Sequence, residues 1–317
     1  MELDYTVVIP TVGRDSLGVV LTALEHGTGP RPREVILVDD RVSPTTPLRR
    51  PPLLPVRILQ GGGGGPAAAR NRGWRAACSE WVAFLDDDVV PAHDWAAALA
   101  QDLSGHVDAS QARITVPLPA DRPPTDYERG TAGLATAQWI TADMAFRRAA
   151  LARVGGFDER FPRAYREDAE LALRLIDRGC KLVVGERVTT HPVRAADFLA
   201  SVRAQRGNAD DALMRRLHGP GWRARIGGHP GRLRWHALTT ASAAATILFG
   251  LLGHRRAELA SGTAWALLTA DFALRRVRPG PRTTDEVLRM ALTSIAIPPA
   301  ACAHRLLGEL RFRGVRP

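Results

Sequence analysis

Three short, largely apolar runs mark the first third of the chain, and each stops at polar residues: 5–9 at Pro10 and Gly13, 34–38 at Asp39-Asp40, and 81–85 at Asp86, Asp87 and Asp88. Continuous apolarity over about five residues predicts strands buried on both faces, as in a parallel sheet. A fourth strand is expected at 56–59. Between the strands lie helical stretches at 16–26, capped by Asp15 or Ser16, and at 67–78, directly after the glycine loop 61–65. The resulting β-α-β-β-α-β alternation predicts an open α/β sheet. Ligands of such sheets gather at the carboxyl ends of the strands. Pro10-Thr11, Asp39-Asp40 and Asp86–Asp88 all sit there, so three polar strand ends are expected to converge on one crevice.

Beyond residue 89 the pattern is less regular. Helices are expected at 93–103, 148–154 (ended by Gly155-Gly156) and 167–179. Strands are expected at 112–116, 139–147 and 181–184, with a Pro-rich loop at 117–130 and His191-Pro192 just past the last strand. From 197 the chain reads as helical and rich in Ala, Leu and Arg. Residues 237–253 carry no charge and are flanked by Arg232, Arg234, Arg255 and Arg256. That run falls short of the roughly 20 apolar residues needed to span hydrocarbon. Residues 257–274 are interrupted by Glu258 and Asp271, and 287–307 by Pro298-Pro299. A catalytic domain over 1–195 and a helical region over 196–317 are the expected organisation.

Charge divides the chain at the same place. Residues 1–193 carry 23 basic and 25 acidic side chains, whereas 194–317 carry 20 basic and 8 acidic. The net charge of +10 therefore belongs to the C-terminal part. Basic charge without aromatic interleaving or a reader motif argues against nucleic acid. Beside apolar helices it points to an anionic membrane surface, contacted through residues 235–310, with a soluble helical subdomain as the competing reading. Cys78, Cys180 and Cys302 are too far apart for a disulfide framework or zinc site. The acidic start lacks the basic and apolar regions of a signal peptide, so the catalytic domain is expected on the cytoplasmic face of the cell membrane.

Asp86 and Asp88, two residues apart at a strand end, can point the same way and offer hard oxygen donors to Mg²⁺ or Mn²⁺. A solvated acidic turn would fit the tripeptide equally well in isolation; its place after a buried strand favours the metal. The 65–73 stretch puts glycine at a helix start with Arg70 one turn in, an arrangement suited to phosphate oxygens, though glycine runs also serve as linkers. Asp39-Asp40 suits a base or ribose, or an ordinary turn. Glu167 and Asp168 open a helix, where carboxylates cap favourably, but their number also suggests a general base. His191 reads as a metal ligand or a loop histidine.

Taken together, residues 8–11, 35–40, 65–73, 84–88, 142–148, 155–159, 167–171 and 191–192, in this order and spacing, resemble the family 2 glycosyltransferases. The resemblance implies a GT-A type mixed sheet flanked by helices, followed by the helical C-terminal region. It implies a nucleotide-sugar donor, a hydroxyl acceptor and inverting, metal-dependent hexosyl transfer connected with the cell envelope. By position, Pro10, Thr11 and Arg14 would border the nucleotide, Asp39 the base, Arg70 the base or diphosphate, and Asp87 the ribose. Asp86, Asp88 and His191 would hold Mn²⁺ or Mg²⁺. Asp168 would be the catalytic base, with Glu167 beside it. Asp143 departs from the Asn common in relatives. A nucleotidyltransferase would leave Glu167-Asp168 and the 155–159 stretch unexplained. A non-catalytic membrane-bound sugar-nucleotide-binding protein would not be expected to keep every carboxylate.

Overall fold

The computed structural model describes residues 3–315 as two compact units, one formed by 3–117 with 132–193 and the other by 118–131 with 194–315. Among the described residues the first unit holds one eight-stranded sheet. Its strands are β1 (Tyr5–Thr11), β2 (Glu34–Asp39), β3 (Val56–Gln60), β4 (Trp81–Leu85), β5 (Val90–Pro91), β6 (Ala109–Thr115), β7 (Asp143–Arg147) and β8 (Leu182–Thr190). The order is β3-β2-β1-β4-β7-β6-β8-β5. β3, β2, β1 and β4 run parallel; β7 is antiparallel to both β4 and β6. β6 and β8 are parallel, and the short β5 closes antiparallel on β8.

The helices of this unit are α1 (Ser16–His26), α2 (Pro66–Ala76), α3 (Trp95–Asp102), α5 (Arg148–Val154) and α6 (Glu167–Asp177); α4 (Asp126–Ala132) lies almost wholly in the second unit. Successive strand residues point to opposite faces. Val7, Ile9, Val35 and Leu37 therefore pack with Leu21 of α1 and Leu99 of α3. Val8, Ile36, Val38 and Phe84 pack with Trp74 of α2 and Leu171 of α6. Both faces are covered, which is why the strands read as continuous apolar runs.

The elements differ from expectation where tertiary pairing decides them. β6 begins at Ala109, three residues before the expected start, because it pairs with both β7 and β8. β7 starts only at Asp143; Trp139 instead takes a left-handed backbone with φ 62°. The loop expected at 117–130 contains α4. β8 runs on through Gly185 to Thr190. A Cβ at Gly185 would lie 2.0 Å from Asp102 Oδ2, so a glycine is needed where α3 meets the strand.

In the second unit α4 joins α7 (Ala200–Arg203), α8 (Gly207–His218), α9 (Trp222–Arg225), α10 (Leu233–Leu251), α11 (Arg255–Val277) and α12 (Thr284–Arg311). α12 continues through Pro298-Pro299, which were expected to break it, with buried Ile297 and Ala301 packing on either side. A buried Arg276 binds the Asp126 carboxylate (2.8 Å) and the hydroxyls of Ser201, Thr293 and Ser294. Large apolar side chains nevertheless remain exposed on all three long helices, among them Trp235, Ile247 and Leu251, Leu267, and Ile295 and Leu307. Among the described residues, one helix, α12, is by length and composition long and apolar enough to cross a membrane.

Candidate active site

Three parallel strands deliver their polar ends side by side. Thr11 Oγ1 donates to Asp87 Oδ2 at 2.7 Å, and Arg14 Nη1 to Asp87 Oδ1. Pro10, Thr11, Arg14 and Asp87 thus share one rim, with the Asp87 carboxylate already bonded to its neighbours. Arg41 holds Asp39 in a two-bond fork, Nε and Nη2 each 2.7 Å from a carboxylate oxygen. That pairing keeps Asp39 below the usual carboxylate range. Asp39, Arg41, Thr45, Thr46, Arg50 and Gln60 line an open cavity of about 360 Å³.

The glycine loop differs from the phosphate cradle expected from its pattern. The N–H groups of Gly64 and Gly65 donate to the Asp40 carboxylate at 2.9 and 2.8 Å. A carboxylate of this chain therefore occupies those donors, and the loop is tied to the end of β2.

Arg70 lies buried, its guanidinium shared between two acids. Nη2 donates to Asp86 Oδ1 at 2.7 Å and Nη1 to Glu167 Oε1 at 2.8 Å, and the ring of Phe157 lies 5.7 Å away. The end of β4 and the start of α6 meet through this one side chain. Next to it, Asn71 accepts from Phe157 N and Trp74 Nε1 (both 2.9 Å) and donates to Phe157 O. It thereby fixes the 155–159 stretch against α2. A Cβ at Gly156 (φ 81°) would lie 2.4 Å from Asn71 Oδ1.

Asp168 is half-buried at the first turn of α6. Its carboxylate accepts from Ala169 N (2.7 Å) and, more distantly, Thr141 N (3.4 Å). Thr141 is placed by β4–β7 pairing, in which Asp86 N also bonds Ala142 O. Burial raises the Asp168 carboxyl above its ordinary range against those two N–H groups, Arg70 and Arg166. Burial and the Asp168 charge raise Glu167 similarly, while Arg70 pulls it down. Asp86 is raised by burial, with Asp88 and Asp87 adding to the effect against Arg70.

β5 pairs Val90 with Thr190, which carries Asp88 to His191. His191 Nε2 lies 3.8 Å from Asp88 Oδ1, beyond hydrogen-bond reach. Among the described residues, no three His, Cys, Asp or Glu side chains form a group that could hold a metal unaided. The oxygen and imidazole donors present are nevertheless those Mn²⁺ and Mg²⁺ accept, and such ions commonly complete their shell from substrate phosphates and water. The donor chemistry fits a cation shared with a diphosphate.

Asp143 is a buried hub rather than an open polar group. It accepts from Trp95 Nε1 (2.6 Å), Thr189 Oγ1 (2.5 Å) and Arg187 Nε (2.9 Å). Carboxylate in place of amide is explained by Arg187, which is itself fully buried.

Residues 6–159 match the family model described as "Glycosyl transferase family 2". The matched segment, just under half of the chain, is similar to glycosyltransferase family 2. Over 136 residues it is 34% identical to the pre-mycofactocin glycosyltransferase of Mycobacterium tuberculosis, in strains CDC 1551 / Oshkosh and ATCC 25618 / H37Rv. This match covers 37% of the chain and 28% of the relative, so the chain spans under a third of the length of the relatives it matches. The fold is similar to that of the mannosyltransferase PcManGT from Pyrobaculum calidifontis, solved in complex with GDP-Man and Mn²⁺. The TM-score is 0.52 at 18% identity, over 99% of this chain and 89% of that one. The fold is therefore of the GT-A type, a mixed sheet flanked by helices with a helical C-terminal region.

Proposed function

We propose that this chain is an inverting glycosyltransferase that moves a hexosyl unit from a nucleotide-diphosphate sugar to an acceptor hydroxyl. The observation that carries the reading is Asp168: a half-buried carboxylate with a raised pKa, joined through Glu167 and Arg70 to Asp86 at the strand ends. The nucleotide lies along Pro10, Thr11, Arg14 and Asp87, with its base in the cavity beside Asp39. Asp86, Asp88 and His191 would hold Mn²⁺ or Mg²⁺. When bound, that ion supplies charge stabilisation to the departing diphosphate.

Asp168 accepts the proton of the acceptor hydroxyl. The hydroxyl oxygen then forms its bond to the anomeric carbon as the bond to the diphosphate oxygen breaks, and the electron pair leaves with the diphosphate. Burial suits Asp168 to this work, because a base of raised pKa has more driving force for proton abstraction near neutrality. Thr141 N–H and Ala169 N–H hold its carboxylate in place.

The helical region would seat the enzyme on the cytoplasmic face of the cell membrane through residues 235–310. Exposed apolar side chains on α10, α11 and α12 beside many arginines support this reading. A membrane-proximal or lipid-linked acceptor follows from it.

The direct test is to screen nucleotide-sugars for Mn²⁺-dependent hydrolysis, alone and with candidate acceptors, in wild type and Asp168→Asn. Hydrolysis of one donor class by wild type, and loss of transfer in the variant, is the expected result. Donor binding without turnover under every condition would identify a sugar-nucleotide-binding protein instead. Release of pyrophosphate would identify a nucleotidyltransferase.

A further inference from the structure

We infer that Trp139 is the platform for the acceptor, a role that rests on the reading of Asp168 as the catalytic base. The acceptor is a pyranoside, whose apolar ring face stacks on this indole. The chain around Trp139 is tightly held. The buried Gln111 accepts from Ile140 N and donates to Ala137 O, both at 3.0 Å. Thr141 N donates to the Asp168 carboxylate at 3.4 Å, and Ala142 O accepts from Asp86 N at 3.2 Å. Residues 137–142 are thus tied at four points, two of them to acids of the site. Trp139 stands inside this segment, two residues from the one that meets the base.

The backbone of Trp139 is left-handed (φ 62°), a conformation that bulky side chains rarely adopt. Such conformations persist where the surrounding structure over-determines them, and they gather at ligand sites. The indole is half-buried. Part of it packs on the core shared by α2 and α6, and the rest is open. Its N–H donates to no described residue, whereas the buried indoles of Trp74 and Trp95 donate to Asn71 and Asp143.

A flat apolar surface with a free donor at its edge, next to the exposed amide of Gln138, matches a pyranose. Such a sugar presents C–H groups on its ring faces and hydroxyls around its rim. A Trp side chain meets it with a large, rigid, amphipathic surface at little entropic cost. Tyr165 is a second exposed aromatic residue close in sequence to the base. Arg166, however, lies over its ring at 4.4 Å and donates to its hydroxyl at 2.8 Å, so one face of that ring is already taken.

The test uses the full chain, the donor that wild type hydrolyses, and the methyl pyranosides of mannose, glucose and galactose as acceptors. N-acetylserinamide and N-acetyltyrosinamide supply hydroxyls that are not on a sugar. Wild type is expected to transfer to a pyranoside. Trp139→Leu keeps apolar bulk without a flat ring. It should raise the KM for that pyranoside about 10-fold or more, with the donor KM moving less than about 2-fold. Trp139→Phe should recover most of the loss. An unchanged pyranoside KM in Trp139→Leu, or equal changes for donor and acceptor, overturns the inference. So does preference for either amide over every pyranoside. Should Trp139→Leu fail to fold, fluorotryptophan labelling gives a readout on the wild-type side chain, its fluorine resonance identified by loss in Trp139→Phe. That resonance should shift with the accepted pyranoside and not with methanol; no shift at saturating pyranoside again overturns the inference. Donor hydrolysis separates the two readings. If wild type hydrolyses a donor but transfers to no pyranoside, only the acceptor platform falls. If it neither hydrolyses nor transfers from any donor, glycosyl transfer itself is wrong.

Discussion

Arg187 Nε lies 2.9 Å from Asp143 Oδ1, and both side chains are fully buried. The same guanidinium reaches Asp102 Oδ2 and Ser110 Oγ, each at 2.8 Å, and Ser110 O at 2.6 Å. This cluster fixes β7 against β8 and α3, and so fixes the strand pairing that brings Asp88 to His191. Removing one partner of a buried pair leaves a bare charge. Arg187→Met, which abandons both Asp143 and Asp102, is expected to destabilise the fold by about 3–5 kcal/mol. Asp143→Asn leaves Arg187 with Asp102 and should cost less, on the order of 1–3 kcal/mol. Urea unfolding of the full chain checks the order. Equal losses would mean that Asp102 contributes nothing.

Gly156 meets Asn71 at a place where neither backbone nor space tolerates a side chain. Its φ is 81°, and a Cβ would stand 2.4 Å from Asn71 Oδ1 and 2.5 Å from Trp74 Nε1. The left-handed conformation alone costs an ordinary residue on the order of 1–3 kcal/mol, so Gly156→Ala should lose at least that. Asn71→Ala leaves the buried Phe157 N–H without its acceptor and should lose a comparable amount. Thermal melts of both variants test this, and unchanged melting in either would show that the 155–159 stretch is not anchored here.

The difference between what the sequence revealed and what it concealed follows from the kind of interaction involved. Strand cores such as 35–38 and 81–85 announce themselves because burial on both faces demands unbroken apolarity. The strand-end aspartates are visible because carboxylates seldom follow a buried strand without a purpose. Arg70, by contrast, reads from the sequence as an arginine of α2 aimed at phosphate oxygens, with no sign of its acidic partners. Its burial depends on Asp86 and Glu167 arriving from elsewhere in the chain, and the surrounding run of alanines was the only local hint. The Gly64 and Gly65 amides looked like anion donors because the anion that takes them, Asp40, belongs to another strand. β7 and β8 shifted from their expected bounds for the same reason, since pairing rather than propensity sets their ends.

Asp168 should reveal itself in both stability and rate. Burial raises its pKa above the ordinary value of 3.8, so the folded chain holds this proton more tightly than the unfolded one. The resulting stabilisation is complete below the unfolded value and is lost as pH rises through the folded one. Asp168→Asn, which never ionises, is expected to melt higher than wild type at neutral pH, with the gain vanishing at acid pH. Transfer should fall by about 10²–10⁴-fold in the same variant. The acid limb of the wild-type rate should lie above the usual carboxylate range, because the base works only when ionised. A variant that lost activity with no pH-dependent gain in stability would point to a site that is not strained by this carboxylate.

Membrane seating is the part of the proposed function most easily separated from catalysis. Arg255 and Arg256 open α11 directly after α10, whose exposed Ile247, Leu248 and Leu251 lie near the same end. A basic residue near an anionic bilayer contributes about 1 kcal/mol. Replacing both with Gln should therefore weaken binding to phosphatidylserine-containing vesicles by roughly 30-fold at low salt, and less as the charges are screened. Leu251→Ser together with Leu252→Ser should weaken binding at every ionic strength, because the apolar contribution is not screened. Co-sedimentation across a salt series distinguishes the two. If neither pair of substitutions changes vesicle binding, α10 and α11 do not face lipid, and the exposed apolar side chains of this unit serve another contact.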